Sequence, residues 1–343
     1  MTKRYLGNII TNNPTAPAGS YENDAASGVW SLAEAFAYTK AGLWPIAGNA
    51  APRGLFAGGL ASGGVTSNVI DYLIISTTGN ATDFGDLTAA TRDIVSYGSN
   101  GTRAVFGLGF TTDVNNPVNT LEYVTIFSTG NATDFGDATV GRRLTDAGFS
   151  SSTRGVNGGG KSSSSTNLNV IDYITIATTG NATDFGNLSA GRQELSGLAS
   201  PTRGIFAGDD SNPKNTIDYI TISSTGNATD FGDLTQGQNN FAGLSSNTRG
   251  VFGGGEAAGN VMQYITIAST GNSTDFGDLT RSTYHLAGTS TSTRGVFGGG
   301  ASFSNIVDYI EIASTGNATD FGDLTVGRQE LGATSSAHGG IAA

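Results

Sequence analysis

The nine-residue sequence T-G-N-A-T-D-F-G-D, or a one-letter variant of it, occurs six times along the chain. Successive copies are separated by 45 to 51 residues, and their phenylalanines are Phe84, Phe135, Phe185, Phe231, Phe276 and Phe321. Repetition at such a period indicates one supersecondary unit copied along the chain. The 343 residues are therefore expected to form one large repeat domain, with any local function in the residues that the copies do not share.

Each unit is predicted to contain four short strands. Residues 69–76 alternate apolar and polar side chains with many β-branched residues, which is typical of a half-buried strand. The Thr-Gly-Asn that follows predicts a turn, because Gly and Asn tolerate positive φ. Residues 249–253 predict another strand, ended by glycines. The repeated Tyr and Phe are 12 residues apart in all six copies, so this hairpin is expected to have a fixed register.

Nearly all length variation among the units lies in one loop. The separation between the repeated Arg and the repeated Tyr ranges from 15 to 20 residues. Exposed loops tolerate such changes. We therefore expect this loop at one face of the assembly.

Four-stranded units of this length around an axis are typical of a β-propeller, so the predicted fold is all-β. The order of the motifs resembles the kelch repeat: a strand ending in Gly-Gly, a variable loop, an Asp-Tyr strand, an aromatic outer strand and then Arg. In the sixth copy these are Gly298-Gly299, Asp308-Tyr309, Phe321 and Arg328. The chain departs from the kelch pattern in three ways. Phe replaces the kelch Trp, Gly-Gly is lost at Leu108 and Asp209, and Asn157 replaces the strand Phe.

The number of blades depends on how the ring closes. Six blades are favoured, with residues 329–335 completing the first. The alternative is a seventh, composite blade that uses residues 3–11 as its missing strand. The predicted propeller spans residues 46–343.

Residues 1–45 form a leader outside the repeat. Ser31 to Glu34 matches a capping box, and Gly42 is suited to the other end, so a short helix is predicted at residues 32–41. The segment G-V-W-S-L-A-E-A-F-A-Y-T-K-A-G-L-W-P strongly resembles leaders and tail pieces of marine bacteriophage, especially cyanophage, structural proteins. The consensus Y-I-T-I-A-S-T-G-N-A-T-D-F-G-D-L resembles repeats in the same class of protein.

These resemblances imply a virion component, such as an appendage, tail fibre or decoration, with the leader bound to other virion proteins. Fibre and spike proteins are often trimers, so a homo-oligomer is compatible with the resemblance. A formal charge of −11 argues against nucleic acid as a partner, and no apolar run is long enough to insert in a membrane.

Several motifs suggest chemistry that their context argues against. Asp-Phe-Gly resembles the kinase metal-binding triplet, but six copies indicate architecture. The segment from Gly155 to Ser162 matches a P-loop, yet a serine run replaces the helix that such a loop needs. Oxygen ligands near Asn80 would suit Ca²⁺. Their spacing, however, lacks the D-x-D-x-D-G pattern of calcium-binding loops. Neither a cofactor nor a metal site is therefore predicted.

Six repeated arginines are expected to bind an Asp or a carbonyl of their own or an adjoining blade rather than a ligand. They are Arg53, Arg103, Arg154, Arg203, Arg249 and Arg294.

The variable loops are the predicted place for function, because their Ser, Asn, Asp and Lys side chains suit hydrogen bonds to sugars. The predicted ligand-binding residues are Asp113, Asn115, Asn116, Lys161, Asp209, Asp210 and Lys214. No catalytic residue is predicted. We expect a non-enzymatic phage virion protein that attaches to host surface glycans. The alternative is a glycan-cleaving propeller enzyme of the sialidase or depolymerase type.

Overall fold

A computed structural model describes residues 51–111, 116–144 and 147–341. Within these residues the protein forms 29 β-strands and one short 3₁₀ turn at Ser62–Gly64, which confirms the all-β prediction. The strands belong to one compact unit, Arg53–Ala343. The predicted leader and its helix at residues 32–41 lie outside the described residues.

Six antiparallel sheets contain four strands each, paired in the order first, second, third and fourth. In sheets 1 to 6 the first strands are Gly332–Ser335, Val95–Ser99, Gly148–Ser150, Ser196–Ala199, Ala242–Ser245 and Ala287–Ser290. The second strands are Arg53–Ala57, Arg103–Gly107, Arg154–Gly158, Arg203–Ala207, Arg249–Gly253 and Arg294–Gly298. The third strands are Val69–Ile74, Thr120–Thr125, Val170–Thr175, Thr216–Thr221, Val261–Thr266 and Ile306–Glu311. The fourth strands are Thr82–Asp86, Thr133–Asp137, Thr183–Asn187, Thr229–Asp233, Thr274–Asp278 and Thr319–Asp323.

Two smaller sheets join neighbouring units. Leu60–Ala61 pairs with both Val65–Thr66 and Arg328–Gln329. Thr91–Arg92 pairs with Phe110–Thr111.

The first strands of the four-stranded sheets contact one another in a closed cycle, which makes the fold propeller-like. Gly332–Ser335 pairs with Arg53–Ala57, so the C-terminal part of the chain completes the first sheet, as expected. Serine hydroxyls connect the cycle: Ser99 donates to the carbonyl of Ser335 at 2.6 Å, and Ser335 donates to that of Ser290 at 2.5 Å. Residues 3–11, which the seven-bladed alternative requires, lie outside the described residues.

The repeated hairpin has the predicted fixed register. Tyr72 lies opposite Thr82 across a β-bulge, and equivalent pairs occur in the other units. The Tyr and Phe rings of each unit meet edge to face with centroids 5.9 to 6.1 Å apart. This geometry is the favoured one for aromatic pairs.

The Thr-Gly-Asn turn of each unit binds the fourth strand of the preceding sheet. Gly130 donates its backbone N–H to the carbonyl of Phe84 at 2.8 Å, and Ala132 donates to that of Asp86. A Cβ atom on Gly85 would lie 2.5 Å from the carbonyl oxygen of Gly130, so glycine is required there. The turn thereby covers a strand edge that would otherwise be open to other chains.

The hydrophobic core lies between adjacent sheets. Leu55 and Phe84 of sheet 1, for example, form one buried cluster with Phe106 and Ile126 of sheet 2. The same arrangement recurs between the other neighbours. Burial of this kind stabilises the contact between sheets by roughly 25 cal/mol per Å² of apolar surface.

The six repeated arginines fasten each sheet to the next. Each guanidinium lies over the Tyr ring of its own unit, 4.3 to 4.6 Å from the centroid. Each also donates at 2.8 to 3.1 Å to a backbone carbonyl of the following sheet. This confirms that these arginines bind carbonyls of adjoining units.

A second set of arginines, from the loops between sheets, pairs with the repeated Asp before Tyr. Arg142 pairs with Asp172, Arg192 with Asp218, Arg281 with Asp308, and Arg328 with Asp71. These four aspartates therefore have a structural role.

Candidate functional site

Two sets of loops share one face of the ring, which we call the loop face. One set joins the second strand to the third within a sheet, and the other joins the fourth strand to the first strand of the next sheet. They are held together by backbone hydrogen bonds, such as Gly109 N–H to the carbonyl of Arg142 at 2.9 Å and Gly160 N–H to that of Arg192 at 2.8 Å. The predicted exposure of the variable loops at one face agrees with this arrangement.

Among the residues that the structure describes, the lysines and arginines that do not hold the sheets together lie on the loop face. Ten arginines of the described residues make the Tyr and Asp contacts given above. The cations that remain among the described residues are Arg92, Arg143, Lys161 and Lys214. These four cations, which make neither of the contacts between sheets, therefore lie on one face.

Two of these cations form a pocket with Phe110, which we call the arginine pocket. It has a volume of about 230 Å³ and is lined by Arg92, Phe110, Asn116, Pro117, Arg143, Ser162 and Ser163. The guanidinium carbons of Arg92 and Arg143 lie 5.1 and 5.8 Å from the centroid of the Phe110 ring. Cations at this distance are attracted to the face of an aromatic ring.

Strand pairing positions the three side chains. Arg92 lies opposite Phe110 in the two-stranded sheet, and residues directly opposite each other project from the same side. Arg143 pairs in the same way with Lys161, through two backbone hydrogen bonds of 2.8 and 3.1 Å. A third cation therefore borders the pocket.

The charges in the arginine pocket are only partly neutralised. Arg92 lies 3.8 Å from the Glu330 carboxylate, and its side chain is half-buried. Within the described part of the chain, no carboxylate lies within 4.0 Å of the Arg143 guanidinium or the Lys161 amine.

The residue after Arg92 begins a ring of differing side chains on the same face. At this position every unit has left-handed backbone, with φ between 51° and 59°, and the residues are Asp93, Leu144, Glu194, Asn240, His285 and Glu330. Backbone hydrogen bonds connect the consecutive members from Leu144 to Glu330, as from Glu194 N–H to the carbonyl of Leu144 at 2.7 Å. We call these residues the axial ring.

Two carboxyl groups of the axial ring, those of Asp93 and Glu194, have raised pKa values. Burial, together with the nearby Glu330, raises the pKa of Asp93 to about 7, although Arg92 and Arg143 act in the opposite direction. Burial is also the main cause of the raised pKa of Glu194, whose carboxylate accepts hydrogen bonds from the amides of Asn239 and Asn240. Burial lowers the pKa of His285.

The structure divides the predicted site residues between two places. Asn116 lines the arginine pocket, and Lys161 borders it. Asp209, Asp210 and Lys214 lie together in the loop of sheet 4, where the Lys214 amine is 3.7 Å from the Asp210 carboxylate. Asp113 and Asn115 lie outside the described residues.

Arg92 and Arg143 are absent from the predicted site residues, because that prediction relied on the loop of variable length. Both occupy one position of the repeat, where the other units have Gln193, Asn239, Tyr284 and Gln329. A comparison of the six copies position by position, rather than by length, would have identified them.

The axis itself is too narrow for a sugar. A cavity of about 40 Å³ there is lined largely by small residues such as Gly148, Gly197 and Gly243, which leaves room for little more than water. At the end of the axis that faces away from the loop face, His338 Nε2 lies 3.0 Å from Ser150 Oγ, and burial lowers the pKa of His338 to about 4.

Among the described residues, no group of three or more His, Asp or Glu side chains is placed to hold a metal ion. The Asn80 oxygen, one of the considered Ca²⁺ ligands, accepts a hydrogen bond from the backbone of Asp323. After Lys161, residues 162–168 contain a turn at 163–164 and a β-bridge at Asn167, and no helix of the kind that a P-loop needs. No helix in the described part of the chain has the length and apolar character needed to cross a membrane.

No protein-family model matches the chain, and no curated protein matches it in sequence.

Proposed function

We propose that the chain is a non-enzymatic virion protein of a bacteriophage, whose kelch-like propeller binds a host surface glycan through the loop face. One observation carries the binding part of this proposal. The side chains that repeat in every unit are used in contacts between sheets, whereas the differing polar and cationic side chains collect on one face. Exposed loops on a rigid scaffold are a common place for binding sites.

The propeller is proposed to have six blades. Two observations support this number. The first strands form a closed cycle, and the pairing of Gly332–Ser335 with Arg53–Ala57 completes sheet 1, whose first strand contacts those of sheets 6 and 2.

The virion part of the proposal rests on the resemblance of residues 28–45 and of the repeat to phage structural proteins. In this role the protein is located in the virion as an appendage, fibre or decoration, and residues 1–45 bind other virion proteins. A homo-oligomer is compatible with this role.

A glycan-cleaving enzyme is the second candidate, and the axial ring favours it. A carboxyl with a pKa of about 7, such as Asp93, near further carboxylates has the chemistry of a general acid. However, the Asp93 side chain is almost wholly buried, and amide groups hold Glu194 in place. These contacts suit a structural role better than access to a glycosidic bond.

Incubation of the purified chain with immobilised host-surface glycans separates the two candidates. The expected result is binding without release of reducing ends. Turnover that is abolished in Asp93→Asn would overturn the non-enzymatic proposal, and absence of binding to any host glycan would overturn the glycan proposal. A density map of intact phage particles tests the virion assignment, which fails if the protein is absent from them.

A further inference from the structure

We propose that the arginine pocket binds the acidic group of a sugar residue, either a carboxylate or a sulfate. This inference rests on the proposed glycan binding and names the ligand class. It follows from the charge, the geometry and the polar lining of the pocket.

The first argument is charge. The chain has a formal charge of −11, yet Arg92, Arg143 and Lys161 meet at one place on the loop face. Other arginines of the same loops have definite partners: the adjacent Arg142, for example, is fully buried against Asp172. Arg143 and Lys161 have no carboxylate within 4.0 Å among the described residues, so an anion would add a charge-assisted contact.

The second argument is pre-organisation. The Phe110 ring contacts both guanidinium groups, and backbone pairing fixes the residues that carry them. A planar guanidinium offers parallel N–H donors that match two oxygens of a carboxylate or a sulfate. Because contact with the Phe110 ring already restrains both guanidinium groups, less conformational entropy is lost when an anion binds.

The third argument is the remaining lining. Asn116 and Ser163 are exposed at the pocket, and an amide and a hydroxyl are suited to hydrogen bonds with sugar hydroxyls. The volume of about 230 Å³ is small compared with typical ligand pockets of roughly 300–1,000 Å³. The pocket therefore suits one sugar ring of a longer chain.

Glu330 sets a limit on the expected affinity. Its carboxylate lies 3.8 Å from Arg92, so a bound anion competes with it for that guanidinium. Binding by a single pocket should consequently be weak and should decrease with added salt.

The test compares a uronic-acid oligosaccharide, a sulfated oligosaccharide and a neutral oligosaccharide by calorimetry with the full-length chain. Arg143→Gln is the main variant, because sheet 4 has Gln193 at the same position. Arg203→Gln is the control, since it removes a cation at the start of the second strand of sheet 4, at the end away from the loop face. A cooperative thermal unfolding transition verifies that both variants fold.

Arg143→Gln should weaken binding of the acidic oligosaccharide by about tenfold, whereas Arg203→Gln should change it less than about twofold. The relative affinity of the two acidic ligands distinguishes a carboxylate from a sulfate. Equal binding of acidic ligand by Arg143→Gln and the unmodified chain overturns the inference. Binding of neutral oligosaccharides alone overturns it while the glycan proposal stands, and binding of none of the host glycans removes both.

Discussion

The side-chain oxygen of Asn80 accepts a hydrogen bond of 3.1 Å from the backbone N–H of Asp323, 243 residues further along the chain. The bond joins sheet 1 to sheet 6, and each of the other five repeated asparagines makes the same bond to the preceding sheet at 3.0 to 3.1 Å. The asparagine of the repeat motif therefore has a defined structural role, which is to bond each sheet to the preceding one.

Replacement of Asn80 by Ala should lower the free energy of unfolding by about 1 kcal/mol, since the backbone N–H of Asp323 loses its acceptor at an exposed site. Urea unfolding followed by circular dichroism measures the change. Thr78→Ala is a suitable control, because its exposed side chain has no hydrogen bond among the described residues. An equal effect of both substitutions would contradict a stabilising role for the Asn80 hydrogen bond.

The Tyr-Phe hairpin is predictable because its register depends on a local turn and a constant spacing of 12 residues. The role of Asn80 is not predictable in the same way, since its partner belongs to another unit and is set by how the ring closes. The repetition indicates that this asparagine is structural, but it does not identify the atom that it binds.

The candidate site is only partly predictable for a related reason. The variation in loop length predicts Asn116 and Lys161 as site residues, and both lie at the arginine pocket. Arg92 and Arg143 are contributed by loops of nearly constant length, so variation in length gives no signal for them. Their proximity to Phe110 depends on pairing between loops of different units.

Arg328 and Asp71 form a fully buried ion pair at the junction between sheets 6 and 1, with 2.5 Å between Nη2 and Oδ2. Replacement of Arg328 alone by Gln should cost about 3–5 kcal/mol, because the partner carboxylate is left buried without its cation. Denaturant titration of the variant gives this value.

One junction between sheets has uncharged residues at the positions of this ion pair. At the positions of Arg328 and Asp71, the junction between sheets 4 and 5 has Gln238 and Gln263. The double variant Arg328→Gln/Asp71→Gln should therefore be more stable than Arg328→Gln alone. A double variant that loses as much stability as the two single variants combined would refute this expectation.

Asp93 provides the clearest pH dependence. Its side chain is 5% exposed, and burial and Glu330 raise its pKa from 3.8 to about 7, so the folded state favours the protonated carboxyl. The folded state then binds more protons than the unfolded state between these two pKa values. Stability from this group is present at low pH and is lost as the pH rises from about 4 to about 7.

Asp93→Asn removes this titration and keeps a similar shape. Relative to the unmodified chain, the variant should therefore gain stability as the pH rises, by up to about 4 kcal/mol between about pH 4 and pH 8. Urea unfolding across this range measures the difference, and Asp184→Asn controls for loss of one negative charge at an exposed repeat position. A stability difference between Asp93→Asn and the unmodified chain that stays constant with pH would show that Asp93 ionises normally in the fold. In that case the axial ring would not hold a protonated carboxyl near neutral pH, and the observation that favours the enzyme candidate would also disappear.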